Sequence, residues 1–376
     1  MRKDAKDAKG VTVRNPFTPA FGTVPLVLAG REDLLHNMCT AFRDGPGNPN
    51  LSTILVGARG TGKTVCMSCI GDEALKSGWL TVRTTAKAGM LEDIYEQAIR
   101  VSKGFLQPSA AQVTSMSIGP VSAAWTAPEH REGNWRSRMS DVLDALAAHD
   151  VGLLITVDEV RASVPEVVEL ASVFQLFVVE RRRVSLVMAG LPYHVHQLLN
   201  DEAVSFLRRS MQHQLGRISA TDVRRALAIT FDQAGKPIDE DALDLCTTAT
   251  EGFAYMLQLV GYHTWNEANG PSVLSENAHR GIQLARLDME EHMFRATYRD
   301  LSDVDIAFLE AMLDDPYESR LAHISRRMGV KSNYATKYKS RLLAQGVIGE
   351  RGRSNVLGFD IPGFRDFLLR EREARR

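Results

Sequence analysis

The sequence predicts an α/β fold, a parallel sheet wound by crossover helices, followed by a helical module and a smaller basic module. Three observations carry this. Apolar runs at 52–56, 79–84, 151–157 and 184–189 alternate with helical stretches, the pattern of strands covered on both faces and joined by helices. After about residue 218 the strand pattern stops, and helical periods at 219–233, 239–249, 253–268 and 274–299 follow. Beyond residue 301, three short helical patterns precede a glycine-punctuated stretch suited to two strands.

In chain order, residues 1–24 are polar and then rich in Pro, Phe and Gly (Asn15-Pro16-Phe17-Thr18-Pro19), which predicts an extended arm. From Gly30-Arg31-Glu32 a helix begins, with Leu34, Leu35, Met38 and Phe42 on one face, and Asp44-Gly45-Pro46-Gly47 ends it. The first strand leads through a glycine-rich turn into a helix over 62–77, and the second into a helix over 89–103. Weak alternation around Ile118-Gly119-Pro120 suggests a hairpin inserted at 105–128. Helices at 134–149 and 165–181 flank the third strand, and the fourth strand closes the pattern. The boundaries expected are an arm at 1–24, a core at 25–218, a helical lid at 219–300 and a terminal domain at 301–376; a length of 376 residues suits two or three domains.

Composition narrows the function classes. Hydrophobic residues at 44% and charged residues at 24% are ordinary globular usage, which excludes wholesale disorder and rod-like repeats. A formal net charge of -1 excludes a uniformly basic nucleic-acid coat, although not a local patch. Four scattered cysteines do not make a disulfide framework. The charged start MRKDAKDAKG has no apolar stretch and no run is long enough to cross a bilayer, so a cytoplasmic chain without membrane contact is expected.

The most informative string is Gly57-Ala58-Arg59-Gly60-Thr61-Gly62-Lys63-Thr64, a full match to G-x-x-x-x-G-K-[ST] between an apolar strand and a helix. Glycines let such a loop wrap a phosphate chain with its N–H groups turned inward, and the helix that follows adds its positive dipole end. The candidate nucleotide-contacting set is thus Gly57 through Val65, with Lys63 reaching the β- and γ-phosphates and Thr64 holding Mg²⁺. A second signal is Leu153-Leu154-Ile155-Thr156-Val157-Asp158-Glu159, an apolar strand ending in two carboxylates. Asp158 suits Mg²⁺ and Glu159 suits the general base for an attacking water. The plain alternatives are a flexible surface loop for the first string and a solvated strand end for the second. Together they predict a P-loop NTPase sheet.

The segments Pro25-Leu26-Val27-Leu28-Ala29-Gly30-Arg31-Glu32, GARGTGKT, ITVDE and the glycine-ended strand at 184–190 resemble the AAA+ ATPase core. The similarity is to its initiator-like branch, containing origin-recognition and archaeal-type ATPases, and covers roughly residues 16–270. It implies ATP rather than GTP, an adenine pocket bordered by Gly30 and Arg31, a helical lid, and often a terminal winged helix. It also implies an arginine that reaches a neighbouring nucleotide, for which Arg208 and Arg209 are the candidates; a solvated helix face is the alternative reading. Two departures stand out: Ala189-Gly190 occupy the place of a polar sensor, and Tyr255 stands where many lids carry arginine. The string Gly252-Phe253-Ala254-Tyr255-Met256-Leu257-Gln258 is similar to one in archaeal-type relatives, so binding is implied and rapid hydrolysis is not.

Charge is unevenly spread. From Arg320 onward, 14 basic residues face 5 acidic ones, a surplus of nine that leaves a deficit of ten on the 319 residues before it. Such asymmetry suits a polyanion-facing end. The pattern there fits a winged helix-turn-helix: Ile306, Phe308, Leu309 and Met312 as the core of one helix, Leu321, Ile324 and Met328 of the next, and a third at 332–343. Candidate nucleic-acid residues are Lys331, Asn333, Lys337, Lys339 and Arg341, with Arg351 and Arg353 at a wing tip, toward double-stranded DNA. The reading is an ATP/ADP-dependent AAA+ switch binding DNA, with a homo-oligomer or protein partner possible. The alternative is a regulatory ATP-binding protein whose winged helix docks a protein with little hydrolysis. Cys66 and Cys69, spaced C-x-x-C without a second pair, read as core; His194 and His196 read as structural or surface.

Overall fold

The computed structural model describes residues 14–20, 22–105 and 133–375. The suggested hairpin at 105–128 lies outside them but for its first residue, as do residues 1–13 of the arm. Five parallel strands form the central sheet in the order β2-β3-β4-β1-β5: β1 Ser52–Val56, β2 Trp79–Thr85, β3 Gly152–Asp158, β4 Val184–Gly190 and β5 Met211–Gln214. Side chains alternate between two separate cores along each central strand. Ile54, Ile155, Leu186 and Met188 pack to one side with α3 (Met90–Val101), α4 (Trp135–Ala147) and α5 (Pro165–Val179). Leu55, Leu154, Val187 and Ala189 pack to the other with α1 (Glu32–Asp44) and α2 (Lys63–Lys76). Both faces are covered, which is why these strands read as unbroken apolar runs.

β5 escaped the sequence reading. Its residues Met211-Gln212-His213-Gln214 are polar but for Met211 and mostly exposed, because it is an edge strand held by backbone pairing to β1 alone. It follows α6 (Pro192–Leu199) and a 3-10 helix at Glu202–Arg209.

The segment expected as a lid contains α7 (Ala220–Gln233), α8 (Glu240–Ala249), α9 (Ala254–Glu267) and α10 (Ser275–Met289). The helical stretch expected over 274–299 is present but not α-helical throughout: a π turn at Glu290–Phe294 lies between α10 and α11 (Arg295–Arg299). That turn buries Phe294 against Phe364 and Phe367 of the last helix, so a tertiary aromatic contact accompanies the lost α-helical register.

The terminal residues form α12 (Asp303–Leu313), β6 (Ser319–Arg320), α13 (Leu321–Arg327), α14 (Ser332–Ala344), β7 (Ile348–Arg351), β8 (Arg353–Phe359) and α15 (Phe364–Ala374). The three strands make an antiparallel sheet in the order β6-β8-β7, and Gly352, with φ +62°, turns the chain between β7 and β8. Two-residue β6 and the closing helix α15 were not expected; the first is too short to leave a period, and the second buries only Phe364, Phe367 and Leu368 among charges. Ser302 and Asp305 form a reciprocal capping box that starts α12. The lid and the terminal elements share one continuous buried cluster. No described helix is long and apolar enough to cross a membrane.

Candidate nucleotide site

Strand register brings the chemistry together. Val56, the last residue of β1, lies beside Gly190 of β4, and Asp158 at the tip of β3 beside Thr85. The loop 57–62 therefore leaves the sheet next to the acidic tip, where parallel-sheet proteins place ligands. Thr64 donates its hydroxyl to Asp158 Oδ2 at 2.6 Å, which joins the two segments directly. Lys63, the first residue of α2, donates through Nζ to the carbonyls of Gly57 and Ala58, both at 2.8 Å. Burial pulls the Lys63 ammonium below the ordinary lysine range; Asp158 and Glu159 act to hold it up, while Arg59 lowers it further.

The loop's glycines are required in two ways. Gly60 and Gly62 adopt φ +73° and +90°, a region other residues enter at a cost. Gly60 also lies under the Phe253 ring, so a Cβ there would meet Phe253 Cζ at 2.4 Å. Phe253 immediately precedes α9 of the lid, and the Tyr255 N–H donates to the Gly60 carbonyl at 3.3 Å. The lid thus rests on the phosphate loop itself. Thr61 is buried and donates to the Ala58 carbonyl, bracing the turn from within.

A cavity of about 770 Å³ opens here. Arg59 through Val65 line it, as do Asp158, Glu159, Arg161, Gly190 and His194. Gly57 and Ala58, the first residues of the loop, do not line the cavity and contribute the carbonyls that hold Lys63. Arg31 lines the cavity and donates to the Gly216 carbonyl at 2.7 Å, pinning the passage from core to lid; Gly30, with φ +64°, lies against Ile218 and Asp222. Glu159 sits at φ +55°, gives its N–H to Asp158 Oδ1 at 2.8 Å and pairs with Arg161 at 3.2 Å. Ala189 and Gly190 end β4 without a polar side chain, and a Cβ on Gly190 would meet Val160 and Val195 at 3.0 Å.

Several wall residues were not found from sequence. Thr18, Pro19, Ala20 and Thr23 of the arm and Pro25 just after it line the cavity, as do Thr297 and Leu301 near α11 and Ala344, Gln345 and Val347 of the terminal elements. His194, read as structural or surface, donates its Nε2–H to the Ala344 carbonyl at 3.0 Å and so joins α6 to α14; burial lowers its pKa. Nothing local in a loop or a lone histidine announces such contacts, which arise from long-range packing.

Other candidates lie elsewhere. Arg208 donates to the Leu199 carbonyl at 2.7 Å, at the end of α6, where a cation complements the helix dipole; Arg209 is exposed, and neither lines the cavity. Cys66 and Cys69 are buried on α2, and burial pushes their thiols up to about 12 and about 11. In the terminal elements Lys331, Asn333, Lys337 and Arg353 are exposed. Three other candidates are engaged internally: Lys339 with Glu350 at 2.9 Å, Arg341 with fully buried Asp305 at 3.2 Å, and Arg351 with Asp360 at 2.8 Å.

No curated protein sequence matches the chain. A family described as a domain of unknown function (DUF8462) matches residues 291–368, from the π turn into α15. Among solved structures, the Orc2 protein of Aeropyrum pernix in its ADPNP–ADP complexes is 12% identical, over 95% of this chain and 98% of that one, with a TM-score of 0.57. A Walker-type ATPase of Pyrococcus abyssi is 12% identical over 91% and 96%, with a TM-score of 0.62. The ADP form of the same Orc2 protein gives 13%, 95% and 97%, and 0.52. At such identities the likeness is one of fold, and the chain has an α/β P-loop NTPase fold like that of these ATPases.

Proposed function

We propose that this protein binds ATP with Mg²⁺ between the phosphate loop and the β3 tip and uses it as a switch that governs a DNA-binding terminal module. The observation that carries the reading is the 2.6 Å bond from Thr64 to Asp158, because it unites in one cavity the two segments that the chemistry needs. Lys63 exchanges its loop carbonyls for β- and γ-phosphate oxygens, and the inward N–H groups of the loop hold the rest of the chain. A hydroxyl beside a carboxylate is a hard oxygen pair that fits Mg²⁺, so Thr64 and Asp158 would hold it. Among the described residues no group of three or more His, Cys, Asp or Glu forms an all-protein metal site, which suits an ion completed by phosphate and water. When bound, Mg²⁺ neutralises charge on the phosphates.

Glu159 takes the proton of an attacking water, with Arg161 as its ionic partner until then. Arg208 or Arg209 serves a neighbouring copy's nucleotide. Ala189-Gly190 and Tyr255 offer no cation or polar sensor, which favours slow turnover and keeps a second reading in view: ATP held with little hydrolysis while the module docks a protein. We read 301–376 as a winged helix-turn-helix whose DNA face is Lys331, Asn333 and Lys337 on or beside α14, with Arg353 at the wing. Lys339, Arg341 and Arg351 are assigned to holding that module together.

The test measures ATP turnover of the full chain with and without duplex DNA across a salt series, following size in solution. ATP binding, DNA retention that weakens steeply with salt, and turnover stimulated by DNA are expected. Absence of nucleotide binding would overturn the proposal; ATP binding without DNA retention even at low salt would favour the second reading.

A further inference from the structure

The arm was expected to be merely extended, yet it is latched to the lid. Asn15 Nδ2 donates to the Tyr262 carbonyl and to Asn266 Oδ1, both at 2.9 Å, and Asn15 Oδ1 accepts from the Phe17 N–H at 3.0 Å. Phe17 is 3% exposed, and its ring lies 4.8 Å from that of Phe231. It occupies a socket that only glycine leaves open: a Cβ on Gly261 would stand 2.3 Å from Phe17 Cδ1. Next along the arm, the Thr18 N–H donates to Gln258 Oε1 at 3.0 Å. Residues 258, 261–262 and 266 form one face of α9, so the arm runs along a single helical stripe.

Two of these residues, Thr18 and Gln258, also wall the cavity. Thr18, Pro19 and Ala20 line it beside Leu257 and Gln258. On the nucleotide reading above, the loop, Asp158 and Glu159 take the phosphates, and the arm-and-α9 wall is left for the base. Resting on the nucleotide reading above, we propose that Phe17 in the Gly261 socket is a positioning residue, and Gln258 the residue it positions to discriminate adenine from guanine. The Thr18 N–H occupies Gln258 Oε1, which fixes the side chain with its amide N–H₂ as the group left to meet a base. A donor there matches the unprotonated N1 of adenine and opposes the N1–H of guanine, leaving two donors face to face.

The experiment titrates ATP and GTP, each with Mg²⁺, into the full chain and its variants by calorimetry. Wild type is expected to bind ATP at least about tenfold more tightly than GTP, the worth of one hydrogen bond gained against one donor left unpaired. Gln258→Met, which keeps the length and removes the donor, should bring the ATP-to-GTP ratio close to one. Gly261→Ala and Phe17→Ala should lower the ratio as well, Phe17→Leu should restore much of it, and the double variant should be no worse than Phe17→Ala. Should Gly261→Ala fail to fold, Gln258→Met and the Phe17 pair still decide. An unchanged ratio in Gln258→Met and Phe17→Ala overturns the assignment, as does a wild type that binds both nucleotides equally. Failure of wild type to bind either one overturns the nucleotide reading instead.

Discussion

The phosphate end of the cavity and the basic terminal module were both legible as candidates, and the structure treats them differently. At the phosphate end the candidate side chains converge: Lys63 on its loop carbonyls, Thr64 on Asp158, and Asp158 on the Glu159 N–H. In the terminal module the candidates divide, with Lys339, Arg341 and Arg351 turned to acidic partners and Lys331, Lys337 and Arg353 exposed. A motif fixes spacing and backbone geometry together, so its residues have one place to go. A charge surplus fixes only a total, and internal ion pairs withdraw part of it from the surface.

The sharpest break of this contrast is at Glu159. Glu159→Gln should keep ATP binding and slow single-turnover hydrolysis by about 10²–10⁴-fold, the usual range for a lost general base; an unaltered rate would take that role away from it. Next is the division among basic residues. Lys331→Ala with Lys337→Ala should reduce the slope of log affinity for duplex DNA against log salt by about two, since each phosphate neutralised by a lysine adds about 0.9 to it. Lys339→Ala should instead lower thermal stability; if it cut DNA affinity as much as the double variant at unchanged stability, the division would be wrong. Removing the Arg341 partner of buried Asp305 by Arg341→Ala should cost about 1–2 kcal/mol in denaturant unfolding, the loss of an ion pair to a buried carboxylate tempered by solvent on the arginine side. An unchanged midpoint would return Arg341 to the DNA face.

The smallest effect is a pH dependence. Asp315 makes two 2.7 Å bonds to the Arg327 guanidinium, which hold its carboxyl down to about 2. A carboxylate depressed below its unfolded value of about 3.9 stabilises the fold fully above that pH, and the contribution fades as pH falls through the folded value. Hydrogen exchange at α13 should therefore accelerate as pH falls below about 4 beyond the intrinsic trend, and Arg327→Ala should flatten that extra dependence. An equal response in both proteins would remove the pair from the account.

The sheet was readable because its strands are buried on both faces, and the loop because Gly60 and Gly62 must take positive φ. What stayed hidden depends on contacts far apart in sequence. β5 carries no apolar period since only its backbone is used, the π turn at 290–294 answers to Phe364 and Phe367, and Phe17 finds its socket 244 residues away at Gly261. His194 was read as structural or surface, and its partner stayed hidden because it is a backbone carbonyl, a group no sequence pattern marks.

The central claim is that triphosphate is gripped where the glycine loop meets the β3 tip. Calorimetric titration of ATP with Mg²⁺ into wild type and Lys63→Ala tests it most directly. One site per chain is expected in wild type, weakened about 10–100-fold in the variant, the worth of a charged hydrogen-bond donor. Equal affinity in the two proteins would contradict it.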